Sequence, residues 1–262
     1  MLAANLVFLL AVLRPAFAAD ASPWDGGPHT AARLIAGATT QRAGVEIRLG
    51  SGWKTYWRYP GDSGVPPHFD FSGSRNVKSV TVLWPAPQRL TDESGTVIGY
   101  KHDVVFPLAI VAEDASKPVM LQLKLDYAVC EKICVPADAK AELTLEGPGA
   151  FADGIAASEA RVPKPAALGG DGALSISAAR REGNKVTVDV AAPAGANVDL
   201  FAEGPTPEWA LPVPARGEPV GGLQRFSFEL DGLPSNTKPD GATLRLTAVT
   251  GGEAIEVPFR LD

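Results

Sequence analysis

The chain has 262 residues, of which 45% are hydrophobic and 21% charged, with a formal net charge of −6. That balance excludes a disordered chain and a membrane-embedded one. The acidic sign and the lack of any basic run argue against nucleic-acid binding.

The first residues read as an export signal. Leu6 to Leu13 is an apolar run and Ala16-Phe17-Ala18 a small-x-small cleavage site, so residues 1–18 are expected to be a signal peptide. The run is far shorter than the roughly 18–20 residues a spanning helix needs, and no later stretch is long and apolar enough, so no membrane span is expected after cleavage. A soluble, exported protein is expected, in a compartment where paired cysteines oxidise.

From Ala31 onward apolar and polar residues alternate, the pattern of half-buried strands. Val45, Ile47 and Leu49 alternate with Glu46 and Arg48, and Val77 to Trp84 is a second β-rich run. Val104 to Ala112 is apolar but contains Pro107, which suggests an edge strand or a bulge. Leu121, Leu123, Leu125, Tyr127 and Val129 alternate with Gln122, Lys124, Asp126 and Ala128, and Ala141, Leu143 and Leu145 mark a partner strand. Gly147-Pro148-Gly149 opens a turn, Phe151 to Ala160 fits a short helix, and Pro163, Pro165 and Gly169-Gly170 read as a linker. The expected organisation is a first domain over 30–150, a linker over 151–172 and a second domain over 173–262. Five strands are expected in the second part, around Leu174 and Ile176, Val186 to Val190, Phe226 to Leu230, Leu244 and Leu246, and Ile255 to Phe259. Short strands and frequent Gly and Pro (27 and 23 residues) predict an all-β chain of two tandem sandwiches.

The chemistry centres on the two cysteines, Cys130 and Cys134. If Glu131-Lys132-Ile133 is a hairpin tip, the cysteines face each other across its base. Opposed antiparallel residues have Cα atoms roughly 4.5–5.5 Å apart, within the roughly 4.4–6.8 Å a disulfide tolerates. Cys130 shares parity with Gln122, Lys124 and Asp126, so it points away from the core and its sulfur is expected to be accessible to an attacking thiol. Lys132 could support a thiolate, though Glu131 opposes it. Two other readings stand beside exchange. A structural staple closing five residues contributes only about 2 kcal/mol by loop entropy. Two thiolates could also hold Cu(I), but His29, His68, His102 and Met120 are scattered, and no metal site or organic cofactor is expected. Trp53, Tyr56, Trp57, Tyr59 and Trp84 form an aromatic set that could equally fill a core.

Several stretches carry a family likeness: Gly52-Trp53-Lys54-Thr55-Tyr56-Trp57, Gly99-Tyr100-Lys101, Val105-Phe106-Pro107-Leu108, and Leu125-Asp126-Tyr127-Ala128-Val129-Cys130-Glu131-Lys132-Ile133-Cys134-Val135-Pro136. They resemble the N-terminal periplasmic domain of the thiol–disulfide reductase DsbD, and more closely its ScsB-like relatives linked to copper tolerance. The resemblance covers roughly 30–150 with specific motifs and 173–262 loosely. It implies an immunoglobulin-like fold and a redox pair, Cys130 and Cys134, that takes electrons from a thioredoxin-like reductant and reduces periplasmic acceptor proteins. It implies that Cys134 forms the mixed disulfide and Cys130 resolves it. It places a shielding cap near Arg89 to Gly99, with Asp92 and Glu93, and puts Tyr56, Trp57 and Tyr127 around the active site. The chain departs from the family in its Cys-x3-Cys spacing and in a cap segment without an aromatic residue before Tyr100. It also departs in lacking the membrane-embedded and C-terminal thioredoxin-like parts, so a separate reductant is expected.

Overall fold

The computed structural model describes residues 19–61, 64–92 and 95–262; the expected signal segment 1–18 lies outside the described residues. The first half contains β1 (Asp25–Gly26), β2 (Thr30–Ala36), β3 (Arg42–Leu49), β4 (Lys54–Gly61), β5 (His68–Asp70), β6 (Val77–Val82), β7 (Gln88–Asp92), β8 (Gly95–Tyr100), β9 (Val104–Ala112), β10 (Val119–Cys130) and β11 (Cys134–Leu145). These form two sheets of order β1-β2-β3-β9-β6 and β11-β10-β4-β8-β7, with β5 added to β10. The period of two along β10 turns Leu121, Leu123, Leu125, Tyr127 and Val129 inward, where they meet Leu34, Val45, Ile47 and Phe106 of the facing sheet. An immunoglobulin-like sandwich results, and the β10–β11 ladder runs without a register shift from Val119 opposite Leu145 to Cys130 opposite Cys134.

Pro107 lies neither at an edge nor at a bulge. Its strand β9 is flanked by β3 and β6, and Pro107 sits opposite Gly44 with no register shift there. On the other side the ladder with β6 ends at Val82–Leu108, and the Pro107 carbonyl accepts the Leu83 N–H at 2.8 Å. The missing proline N–H therefore falls where the pairing stops, so an interior strand tolerates the residue.

Between the halves, α1 (Ala152–Glu159) follows the expected helix. It packs on β9 through the Ser158 hydroxyl, which donates to the Val105 carbonyl. The run read as a linker is thus partly packed: β12 (Lys164–Pro165) pairs in parallel with β19 (Ala254–Arg260). The second half adds β13 (Ser175–Glu182), β14 (Lys185–Ala191), β15 (Asp199–Glu203), β16 (Ala215–Arg216), β17 (Gln224–Glu229) and β18 (Thr243–Val249). Its sheets run β12-β19-β18-β15 and β13-β14-β17-β16 around a second core that includes Val186, Val188, Leu200, Phe226, Leu244 and Val257. β15 is not among the expected strands, because Leu200, Phe201 and Ala202 are buried in succession. Leu200 and Ala202 enter the second core while Phe201 enters the first, so no alternation shows. No helix among the described residues is long and apolar enough to cross a membrane.

Candidate functional site

β10 ends at Cys130 and β11 begins at Cys134, so Glu131-Lys132-Ile133 forms the hairpin tip. The Glu131 N–H donates to the Ile133 carbonyl at 3.2 Å. The two cysteines face each other in the ladder with Cα atoms 4.1 Å apart, and their sulfurs are bonded. All three tip residues are exposed, Ile133 to 70%.

The two sulfurs sit in unlike surroundings. Cys134 is exposed, whereas Cys130 is only 2% exposed. As its parity along β10 requires, Cys130 lies on the face away from the main core. The accessibility expected from that parity does not follow, because a second small apolar cluster covers this face. Tyr56 of β4, Leu90 of β7, Val97 of β8 and Ala128 of β10 enclose Cys130. The covering segment, expected as a cap loop over Arg89 to Gly99, is largely the β7–β8 hairpin.

Tyr56 supplies the polar contact. Its hydroxyl lies 2.7 Å from Cys130 Sγ and 3.2 Å from Cys134 Sγ. Bonded sulfurs carry no proton, so the phenol O–H is the donor. Two close approaches hold the ring. Gly64, at φ +146°, lies so near that a Cβ there would stand 2.4 Å from the Tyr56 ring. Gly99 lets β8 reach β4: a Cβ at that position would meet the Thr55 carbonyl oxygen at 2.0 Å. The Thr55 hydroxyl in turn donates to the Ala128 carbonyl at 3.0 Å, tying β4 to β10 beside the cysteines.

Of the residues that resemblance placed around the site, the structure brings Tyr56 to the sulfurs and takes Trp57 and Tyr127 elsewhere. Trp57 follows Tyr56 in the strand, so it points to the opposite face and packs in the main core, 5.9 Å from Phe201 between ring centroids. Tyr127 shares the core parity of Leu125 and Val129. Its hydroxyl hydrogen-bonds Thr30 at 2.9 Å, and burial raises its pKa while that bond opposes the rise. Asp92 closes β7 opposite Gly95, and Glu93 lies outside the described residues. Leu90, Val97 and Ala128 were missed; only the hydrophobicity of Leu90 and Val97 within the cap segment pointed to them. A groove of about 700 Å³ runs beside the site, bordered by Trp53, Lys54, Leu90, Lys101 and Glu131. Among the described residues no cluster of three or more His, Cys, Asp or Glu side chains could hold a metal ion.

This geometry is that of a closed cysteine pair with one cysteine exposed and the other held in an apolar pocket, and with a single hydroxyl donor beside both sulfurs. Such a pair can open by attack at the exposed sulfur, with the buried one leaving as a thiolate. Residues 27–146 match the family model described as thiol:disulfide interchange protein DsbD, N-terminal. The structure is also similar to the crystal structure of the N-terminal periplasmic domain of ScsB from Proteus mirabilis. The TM-score is 0.73 at 21% sequence identity, over 93% of this chain and 98% of that one. At that identity the likeness speaks for the fold, including its second sandwich. No curated protein matches the sequence.

Proposed function

Starting from residues 27–146 as an N-terminal domain of the DsbD family, we propose that the chain is a periplasmic thiol–disulfide exchange protein. It passes electrons through Cys130–Cys134, from a thioredoxin-like reductant to acceptor proteins that carry disulfides. Residues 1–18 serve as its export signal, 30–150 form the redox unit, and 173–262 support it. The observation that carries this reading is the unequal exposure of two bonded cysteines whose sulfurs share the Tyr56 hydroxyl.

The exchange runs in two half-reactions. A thiolate of the reduced partner attacks Cys134 Sγ, the exposed sulfur. The Cys130–Cys134 bond breaks, and the bonding pair leaves on Cys130 as a thiolate that Tyr56 is placed to hydrogen-bond. The partner's second thiolate then attacks its own sulfur in the mixed disulfide and releases Cys134. Two electrons and two protons have moved: the partner dithiol is oxidised and the cysteine pair reduced. In the second half, the Cys134 thiolate attacks an acceptor disulfide and Cys130 resolves the adduct, which restores the bond. No organic cofactor enters either half.

A trapping experiment tests this order. A reduced thioredoxin-like protein lacking its resolving cysteine is mixed with the oxidised chain, and the adduct is mapped by peptide mass spectrometry. Linkage to Cys134 is the expected result. The freed Cys130 thiolate can resolve a Cys134 adduct, so the mixture is quenched in acid within the first turnover to capture it; linkage to Cys130 in the captured adduct would contradict the reading.

A further inference from the structure

β7 is the last strand of its sheet, with β8 as its one neighbour in the sheet order. It nevertheless carries Leu90, which closes the pocket over Cys130. A terminal strand with a single ladder is prone to open locally, so something outside the sheet must fix its position. That support comes from the second sandwich. Arg89, whose side chain points to the opposite face from Leu90, reaches across to three acceptors. Its Nε donates to Asp199 Oδ1 at 3.1 Å, and its Nη2 donates to the carbonyls of Leu200 and Pro214 at 3.3 and 2.9 Å.

The strand that carries Tyr56 is fastened in the same way. On β4, Arg58 donates to both oxygens of Glu203 at 2.8 and 2.7 Å and also bonds Glu256. Phe201 of β15, fully buried, packs against Trp57 of β4. Two of the strands that line the Cys130 pocket, β4 with Tyr56 and β7 with Leu90, are thus bolted to acidic and carbonyl groups on β15, on β19 and at Pro214.

We infer that the second sandwich acts as a brace for the cysteine site, and that Arg89 is a positioning residue that keeps the β7–β8 hairpin closed over Cys130. This rests on the proposed exchange function, because it concerns which sulfur an incoming thiol can reach. With the bolt in place, an attacking group reaches only Cys134. With the bolt removed, β7 lifts and Cys130 becomes a competing target, so the order of attack is lost.

The test is the alkylation rate of each cysteine by iodoacetamide in the reduced full-length chain. Trypsin cleaves after Lys132, which separates Cys130 in 125–132 from Cys134 in 133–140. In the unaltered chain Cys134 reacts first. Arg89→Ala is expected to raise the Cys130 rate about tenfold, the scale of losing charge-assisted hydrogen bonds that oppose a local opening, with the Cys134 rate unchanged. Arg89→Lys keeps the charge but cannot span three acceptors, and its rate falls between. Asp199→Asn, on the other side of the interface, raises the Cys130 rate in the same direction and serves if Arg89→Ala does not fold. Arg225→Ala removes an ion pair with Asp189 inside the second sandwich and leaves the Cys130 rate where it was. An unchanged Cys130 rate in folded Arg89→Ala overturns the inference. So does a rise shared equally by both cysteines and by Arg225→Ala, which marks general loosening. Alkylation needs no partner protein, so a failure of exchange with thioredoxin-like proteins would leave this result standing on its own.

Discussion

Replacing Tyr56 with Phe removes one oxygen and keeps the ring that packs against Leu90, Val97 and Cys130. The oxygen is the group that contacts both sulfurs, at 2.7 and 3.2 Å. Toward a neutral acceptor such a bond contributes about 0.5–1.5 kcal/mol, and toward a charged one about 1.5–3 kcal/mol. The hydroxyl therefore favours the thiolate over the disulfide by about 1 kcal/mol. Its loss should lower the reduction potential of the pair by about 20 mV, taking 30 mV as about 1.4 kcal/mol for two electrons. If the same stabilisation is present when Cys130 leaves, reduction by a thioredoxin-like protein slows about fivefold, since about 1.4 kcal/mol is tenfold in rate. The assay is equilibration in thiol buffers at two pH values, with stopped-flow reduction alongside. The potential difference should be largest in alkaline buffer, where thiolates are populated, and shrink in acid. Equal potentials at both pH values, with an unchanged rate and an unchanged melting curve, would show that Tyr56 only packs.

Tyr127→Phe separates the core tyrosine from the site one. It loses a buried hydrogen bond to Thr30, so the melting temperature should fall by a few degrees for a cost of about 1 kcal/mol, while the exchange rate stays constant. A drop in exchange would place Tyr127 at the site after all. Gly99→Ala forces a Cβ to 2.0 Å from the Thr55 carbonyl and should cost about 1–3 kcal/mol, read as a lower urea midpoint with Cys130 more open to alkylation. Asp189 is held below the usual carboxylate range, chiefly by the hydrogen bond from Arg225 and against the effect of burial. A depressed carboxylate contributes stability above its unfolded pKa and loses it as pH falls through the folded value. Urea midpoints measured from about pH 6 down to about pH 3 should decline in the unaltered chain and decline less in Asp189→Asn; parallel declines would remove Asp189 from the acid response.

The parts of the fold governed by local pattern could be read directly. Alternation along Leu121 to Val129 located β10 and its inward face, and three residues between cysteines sufficed for the hairpin tip. Other features depend on contacts distant in the chain. The burial of Cys130 comes from Leu90 and Val97, more than thirty residues earlier, so no local rule could reveal it. β15 was hidden because two cores claim successive residues. Tyr127, in contrast, already shared the parity of Leu123 and Leu125. Period two alone was enough to send it to the core, and the same rule sends Trp57 opposite Tyr56. Arg58 and Arg89 carried no local signal, since their partners Asp199, Glu203 and Glu256 lie more than one hundred residues away.

The central claim is that Cys130–Cys134 is an exchanging bond, and its reduction potential tests that most directly. The purified chain without residues 1–18 is equilibrated in thiol buffers, and the oxidised fraction is read by mass spectrometry after alkylation. An exchanging pair should give a value above about −250 mV, in the range of disulfides that exchange with thioredoxin-like and isomerase proteins. A value below about −300 mV would mark a bond that resists the thiol pool and would contradict it.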